Sequence, residues 1–267
     1  MRGCCCGVNK KNERSLYFFI DAELRHRILS YVSTLYFIRH AQASFGSVEY
    51  DRLSPLGRRQ AAMLARYLDR VQRRFDAVYT GRLRRHEETA EALFESYCRR
   101  NEATPRHVRL DGLDEYPTEE IFRSFIPLAL ERDRGLEGDV ARLMEDRRSF
   151  QRVFEQVMGM WASGGHHPPG LITWQEFADG VHSAVNEIMQ RDGRGKTIAV
   201  ITSGGPIAAT VCRVLGLPGP ASVSVAEQLV NTSISRFKCT EDRIMLSTFN
   251  EYPHLELEGT EGVITYR

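Results

Sequence analysis

Arg39 and His40 follow directly on the apolar run Leu35-Tyr36-Phe37-Ile38. Two aromatics and an Ile in so short a run read as a buried strand. The cation and the imidazole therefore fall at its carboxyl end, where open α/β sheets bind ligands. A guanidinium there suits an anion, and an imidazole suits proton transfer or nucleophilic attack. Three more strand ends carry polar groups: the segment Thr80-Gly81-Arg82-Leu83-Arg84-Arg85, the pair Asp114-Glu115, and Ser203-Gly204. Residue type alone does not choose among Arg82, Arg84 and Arg85, because helix arginines commonly sit on solvated faces. Nor does it choose between Asp114 and Glu115, because acids in turns commonly cap or face solvent. His86 is open between the site and the surface. His166 and His167 lie in a Pro-Gly loop and read as solvated.

The elements that must position these groups alternate. After the first strand, Ser54-Pro55 signals a helix, with Ser as N-cap and Pro at the first turn. Leu56, Met63, Leu64, Tyr67, Leu68 and Val71 give it an apolar face. Residues 75–79 read as a second strand, 83–99 as a helix and 108–110 as a third strand. This βαβα order implies parallel pairing with right-handed crossovers. Residues 118–164 read as helical, an insertion over the strand ends closed by Gly164-Gly165-His166-His167-Pro168-Pro169-Gly170. Thr173-Trp174-Gln175-Glu176 is a capping box opening a helix to about residue 190. Thr197-Ile198-Ala199-Val200-Ile201 is the clearest strand. A helix over 207–215 and strands near 233–238 and 243–249 complete the chain. The expected fold class is α/β: a three-layer sandwich, with a mostly parallel central sheet, helices on both faces and a helical cap inserted at about 118–170. Residues 34–267 form one domain. Residues 1–33 read as an N-terminal extension, peripheral to the site.

The 267 residues are 42% hydrophobic and 27% charged, with a net charge of +1. That balance exerts no global pull toward nucleic acid or membrane, so any preference for anions is local. No apolar run reaches the roughly 18 residues of a membrane span. Leu16-Tyr17-Phe18-Phe19-Ile20 is too short for a signal-peptide core. The expectation is a cytoplasmic protein. Cys4, Cys5 and Cys6 are contiguous, Cys98, Cys212 and Cys239 scattered, and neither set has zinc-finger spacing. No metal or cofactor is implied, and the expected partner is a small phosphorylated molecule on the grounds that follow.

Together these motifs resemble the histidine phosphatase superfamily, the phosphoglycerate mutase-like fold, from about Leu35 to the C-terminus. Arg39-His40 matches the opening Arg-His-Gly motif, with Ala41 in the Gly place. The stretch from Thr80 to Ala90 matches a second motif with fixed Leu, Arg and Thr-Ala spacing; that register selects Arg85. Gly112-Leu113-Asp114-Glu115-Tyr116 resembles the segment bearing the family's proton donor, which makes Glu115 the acid. Asn231-Thr232-Ser233 and Phe249-Asn250-Glu251 resemble its closing strands, where no catalytic role is assigned. The resemblance implies a phosphomonoester hydrolase with His40 as nucleophile, Arg39 and Arg85 as phosphoryl-binding cations and Glu115 as acid and base, with no metal.

One position departs from the pattern. Where the family usually carries a second His, after the strand over 197–202, this chain has Ser203. Ser203 still donates one hydrogen bond, and the N–H groups at Gly204 still favour an anion, but a charge is missing. Losing one donor at a transition-state oxyanion costs about 10²–10³ in rate. The departure implies reduced or specialised activity, or a protein of this fold that only binds phosphate. A phosphoglycerate mutase fits less well, since no segment marks that substrate.

Overall fold

The computed structural model describes residues 31–44, 51–259 and 262–266. The Cys triplet and the apolar positions Leu24, Ile28 and Leu29 of the N-terminal extension lie outside the described residues, as does residue 45 to residue 50 of the loop after Ser44. The chain runs β1 (Ser33–Arg39), α1 (Pro55–Arg70), β2 (Ala77–Thr80), α2 (Arg84–Arg99), β3 (Arg106–Arg109), α3 (Thr118–Arg132), α4 (Glu137–Ala141), α5 (Arg147–Ser163), α6 (Trp174–Asp192), β4 (Thr197–Thr202), α7 (Gly204–Leu215), α8 (Ala221–Gln228), β5 (Ile234–Cys239), β6 (Ile244–Glu251) and α9 (Pro253–Glu256).

The six strands form one sheet in the order β3-β2-β4-β1-β5-β6. β3, β2, β4 and β1 are mutually parallel; β5 and β6 are antiparallel. The pairing is parallel as the alternating order implies, but β1 and β2 are not neighbours, because β4 lies between them. Chain order alone does not reveal that a strand from the far end of the sequence enters the centre. The expected second strand begins at Ala77 rather than Phe75, whose N–H is taken by the Tyr97 hydroxyl at 2.7 Å. Neither α8 nor α9 was signalled by caps or a long apolar period.

Side-chain alternation along β1 splits the core into two layers. Tyr36 and Ile38 pack with Val78, Ala199 and Ile201 against Leu64 and Leu68 of α1 and Ala90 and Leu93 of α2. Leu35 and Phe37 face the other way, with Tyr79, Ile198, Val200 and Phe237, against α3, α5, α6 and α7. Burying side chains of this size stabilises by about 1.5–3 kcal/mol each. The inserted helices α3–α5 belong to this second layer. They join it through an aromatic cluster in which Trp161 lies 5.2 Å from Tyr116, and Phe177 lies 5.5 Å from Tyr116.

The register does the positioning. Arg39 pairs with Thr202, Thr80 with Ile201, and Thr80 with Arg109. The carboxyl ends of β1, β2, β3 and β4 therefore finish in nearly one row. The helix starts are fixed by caps. Ser54 Oγ accepts the Gly57 N–H at 2.9 Å. Thr173 Oγ1 accepts the Glu176 N–H at 3.1 Å while Glu176 accepts the Thr173 N–H at 2.8 Å. Thr173→Ala is expected to lower stability by about 1 kcal/mol, read as a lower urea midpoint with an unchanged m-value.

Candidate active site

His40 follows the end of β1 and is buried, with only 7% of its surface exposed. Its Nδ1 lies 2.7 Å from the Ala41 carbonyl, which can only accept, so the proton is on Nδ1. The lone pair is thereby placed on Nε2, which accepts from Arg85 Nε at 3.2 Å. Burial, followed by the charge of Arg85, holds the imidazole well below the usual histidine range. Its neutral form, the nucleophilic one, is the stable form near pH 7.

Arg85 sits in the first turn of α2 and is itself buried. Besides His40, its guanidinium reaches Asp51 Oδ1 through Nη1 at 2.6 Å and Ser203 Oγ through Nη2 at 3.5 Å. The Arg82 side chain instead pairs with Asp114 at 2.9 Å, and Arg84 pairs with Glu88 at 2.9 Å; both are largely exposed. Asp114 also accepts the Arg82 N–H, so it braces the turn. Geometry thus sets Arg85 apart from Arg82 and Arg84, and Glu115 apart from Asp114. Arg39 donates from Nη1 to the Leu229 carbonyl.

Glu115 follows the 3₁₀ turn Asp111–Leu113. Its Oε1 accepts the Gly205 N–H at 3.1 Å and its own neighbour's, Tyr116, at 3.2 Å. Burial raises its pKa against the pull of Arg85 and those N–H groups, with Arg39 acting in the same lowering sense. Gly205 is what admits it: a Cβ there would fall 2.0 Å from Glu115 Oε1 and 2.6 Å from the Tyr116 ring. Ser203 is the N-cap of α7, yet its side chain makes no capping bond. It is fully buried, and Gly204 opens the helix beside it. Arg39, His40, Arg85, Glu115, Ser203 and Gly204 therefore converge on one end of the sheet.

Several residues to which the sequence assigns no role support the site. Thr89 Oγ1 accepts the Ala41 N–H at 3.1 Å and donates to the Arg85 carbonyl at 2.7 Å, tying β1 to α2. Asn231 Nδ2 donates to the His40 carbonyl at 3.0 Å. Thr232 holds a left-handed φ of 64° so that its N–H reaches the Arg39 carbonyl at 3.0 Å. That is an unfavourable region for a β-branched residue. His86, left open by sequence, is fully buried at the site, whereas His166 and His167 are exposed. Among the described residues no cluster of three or more His, Cys, Asp or Glu is placed to hold a metal. No described helix is long and apolar enough to cross a membrane.

The model of the histidine phosphatase superfamily (branch 1) matches residues 35–113 and 118–252. This chain belongs to that superfamily. No curated relative matches it significantly. Among solved structures it is similar to Bacillus stearothermophilus YhfR, with 18% identity, TM-score 0.60, and 84% of this chain and 99% of that one covered. It is similar to Entamoeba histolytica phosphoserine phosphatase in complex with 3-phosphoglyceric acid, with 18% identity, TM-score 0.56 and the same coverage. It is also similar to a phosphoglycerate mutase from Bacillus anthracis, with 15% identity, TM-score 0.57, and 86% of this chain and 98% of that one covered. At these identities the likeness is one of fold.

Two outcomes follow from the geometry. A reaction needing neutral His40 and protonated Glu115 has a bell-shaped kcat/KM profile. The lowered His40 pKa moves the acid limb below 6.5, and the raised Glu115 pKa moves the alkaline limb above 4.5, so both shifts raise the fraction of the protein in the reactive protonation state. Glu115→Gln removes the alkaline limb and lowers the rate about 10²–10⁴-fold. Gly205→Ala, which pushes on both Glu115 and Tyr116, loses about 10²-fold in kcat while the far-ultraviolet circular dichroism spectrum is retained.

Proposed function

We propose that this chain is a phosphomonoester hydrolase that works through a phosphohistidine on His40 and needs no metal for the transfer. The observation that carries the reading is the tautomer of His40. A buried neutral imidazole, protonated at Nδ1 onto a carbonyl, presents its Nε2 lone pair beside a guanidinium. What marks it as a nucleophile is the company of that nitrogen: Nε2 is held beside Arg85, which also reaches Ser203, with Arg39 and Glu115 at the same strand ends.

In the first step, Nε2 attacks phosphorus, the ester P–O bond breaks, and the Glu115 carboxyl gives its proton to the departing oxygen. In the second, the Glu115 carboxylate takes a proton from water as that water attacks phosphorus. The P–N bond breaks, and inorganic phosphate and free His40 result. The transferring group spreads negative charge over three oxygens, so fixed cations supply much of the rate. Arg85 and Arg39 supply them, helped by the start of α7 at Ser203 and Gly204. The substrate is a small phosphate ester. Family membership supports the same class of chemistry.

The reading is tested with p-nitrophenyl phosphate in the presence of a chelator. Wild type is expected to turn over and to yield an acid-labile, alkali-stable phosphoenzyme on rapid quench. His40→Ala is expected to lose both, a fall of at least about 10³-fold by comparison with loss of other catalytic nucleophiles. Turnover that survives in His40→Ala refutes the mechanism. Vanadate binding without turnover in wild type would instead make this a phosphate-binding protein of the same fold.

A further inference from the structure

The mechanism leaves one buried ionisable group at the site without a task. His86 is fully buried, one residue after Arg85, with its ring centroid 5.6 Å from that of His40. Its Nε2 lies 2.7 Å from Ser203 Oγ. Its Nδ1 is buried with no hydrogen-bond partner. The ring is seated where Gly81 leaves space: a Cβ on Gly81 would come within 2.4 Å of Nδ1. Among the described residues the imidazole thus has one side-chain hydrogen bond, to the Ser203 hydroxyl, and a second, unsatisfied nitrogen.

The direction of that contact decides what Ser203 can do. Arg85 Nη2 already donates toward Ser203 Oγ at 3.5 Å. If His86 also donates from Nε2, both oxygen lone pairs are engaged, and the hydroxyl proton is left to point at a third group. The same Arg85 side chain touches His40 Nε2, so Ser203 Oγ lies one guanidinium away from the attacking nitrogen. An anion bound at His40 selects this arrangement, because the opposite tautomer would turn serine lone pairs toward its oxygens.

We infer that His86 is a positioning residue that acts through Ser203: its Nε2–H donates to Ser203 Oγ, so that the serine hydroxyl donates to a phosphoryl oxygen held at His40. The inference rests on the phosphatase reading and deepens it. Ser203 and His86 form a two-residue donor built from two elements, the end of β4 and the start of α2. It supplies a directed hydrogen bond where a lone serine hydroxyl would rotate freely.

The test is a double-mutant cycle read by orthovanadate binding in isothermal titration calorimetry, which needs no turnover. Ser203→Ala and His86→Leu are each expected to weaken binding about 10- to 100-fold, the range for a hydrogen bond to a charged group. The double variant is expected to bind no more weakly than the weaker single one, because both remove the same donor. His86→Gln keeps an N–H at similar reach and is expected to bind within about 3-fold of wild type, which a merely space-filling role for His86 would not produce. Losses that multiply in the double variant, His86→Leu binding like wild type, or His86→Gln falling as far as His86→Leu overturn the inference while the phosphoryl site stands. Wild type that binds no vanadate overturns the inference and the phosphatase reading together.

Discussion

An imidazole surrounded by guanidinium groups keeps its lone pair only while it stays neutral, and burial makes that condition easy to meet. His40 is deprived of solvent, and its protonated form would face the charges of Arg85 and Arg39. Both influences favour the neutral ring. The Ala41 carbonyl then settles which nitrogen is bare. On the proposed function, tautomer, protonation state and aim are fixed before any substrate arrives, so little reorganisation remains for the chemical step. The same burial acts oppositely on a carboxyl, and Glu115 is pushed toward its protonated form. One dry environment prepares both a base without its proton and an acid with one.

That environment exists because strands from distant parts of the sequence end level with one another. β4 inserts between β1 and β2 and brings Ser203 beside His40; the His40 N–H donates to the Thr202 carbonyl at 2.8 Å. β3 pairs with β2, and the Leu110 N–H is held by the Thr80 carbonyl at 2.9 Å, which delivers the turn carrying Glu115. A slip of one residue in any of these pairings would turn the side chains to the opposite face. The helical insertion contributes through Tyr116, whose ring contacts Trp161 while its neighbour Glu115 lies over Gly205. The cap and the acid are therefore mechanically connected.

The longer helices were legible because they bury one apolar face, and the central strands because both their faces are buried, which makes them short continuous apolar runs. Ser54-Pro55, Thr173 with Glu176, and the run over 197–201 each carry a local signal that the structure repeats. Strand order was not legible, since nothing in β4 says which neighbours it takes. α8 follows the Pro218-Gly219-Pro220 turn but has no side-chain capping bond, and its eight residues are too short for a period to stand out. Within the site, Arg39 and His40 stood out at a strand end, and the family resemblance selected Arg85 and Glu115. It also covered Thr89, Asn231 and Thr232, but their roles were not legible, because their work is to hydrogen-bond backbone groups, which Thr and Asn do in many places. His86 was ambiguous for a different reason. It is the third residue of α2, where a side chain can face inward or outward, and the missing side chain at Gly81 leaves the space its ring fills. Asp51 was likewise unmarked, although its carboxylate bridges Arg85 Nη1 and the Arg84 N–H at the start of α2.

The distribution of charge follows from these choices. Burial holds His86 well below its ordinary pKa, with Arg85 adding to the effect, so a second imidazole beside His40 brings a dipole rather than a cation. The fixed positive charge facing the nucleophile then resides on arginine, which burial does not deprotonate. Asp51 offsets part of that charge while the site is empty, and it is the more exposed partner, with 40% of its side chain accessible against 9% for Arg85. On the proposed function, an arriving phosphoryl dianion would compete with a carboxylate that water can re-solvate cheaply, while the guanidinium would stay where it is. The cation would then be fixed and its counter-charge the replaceable part, the order that favours binding an anion beside His40.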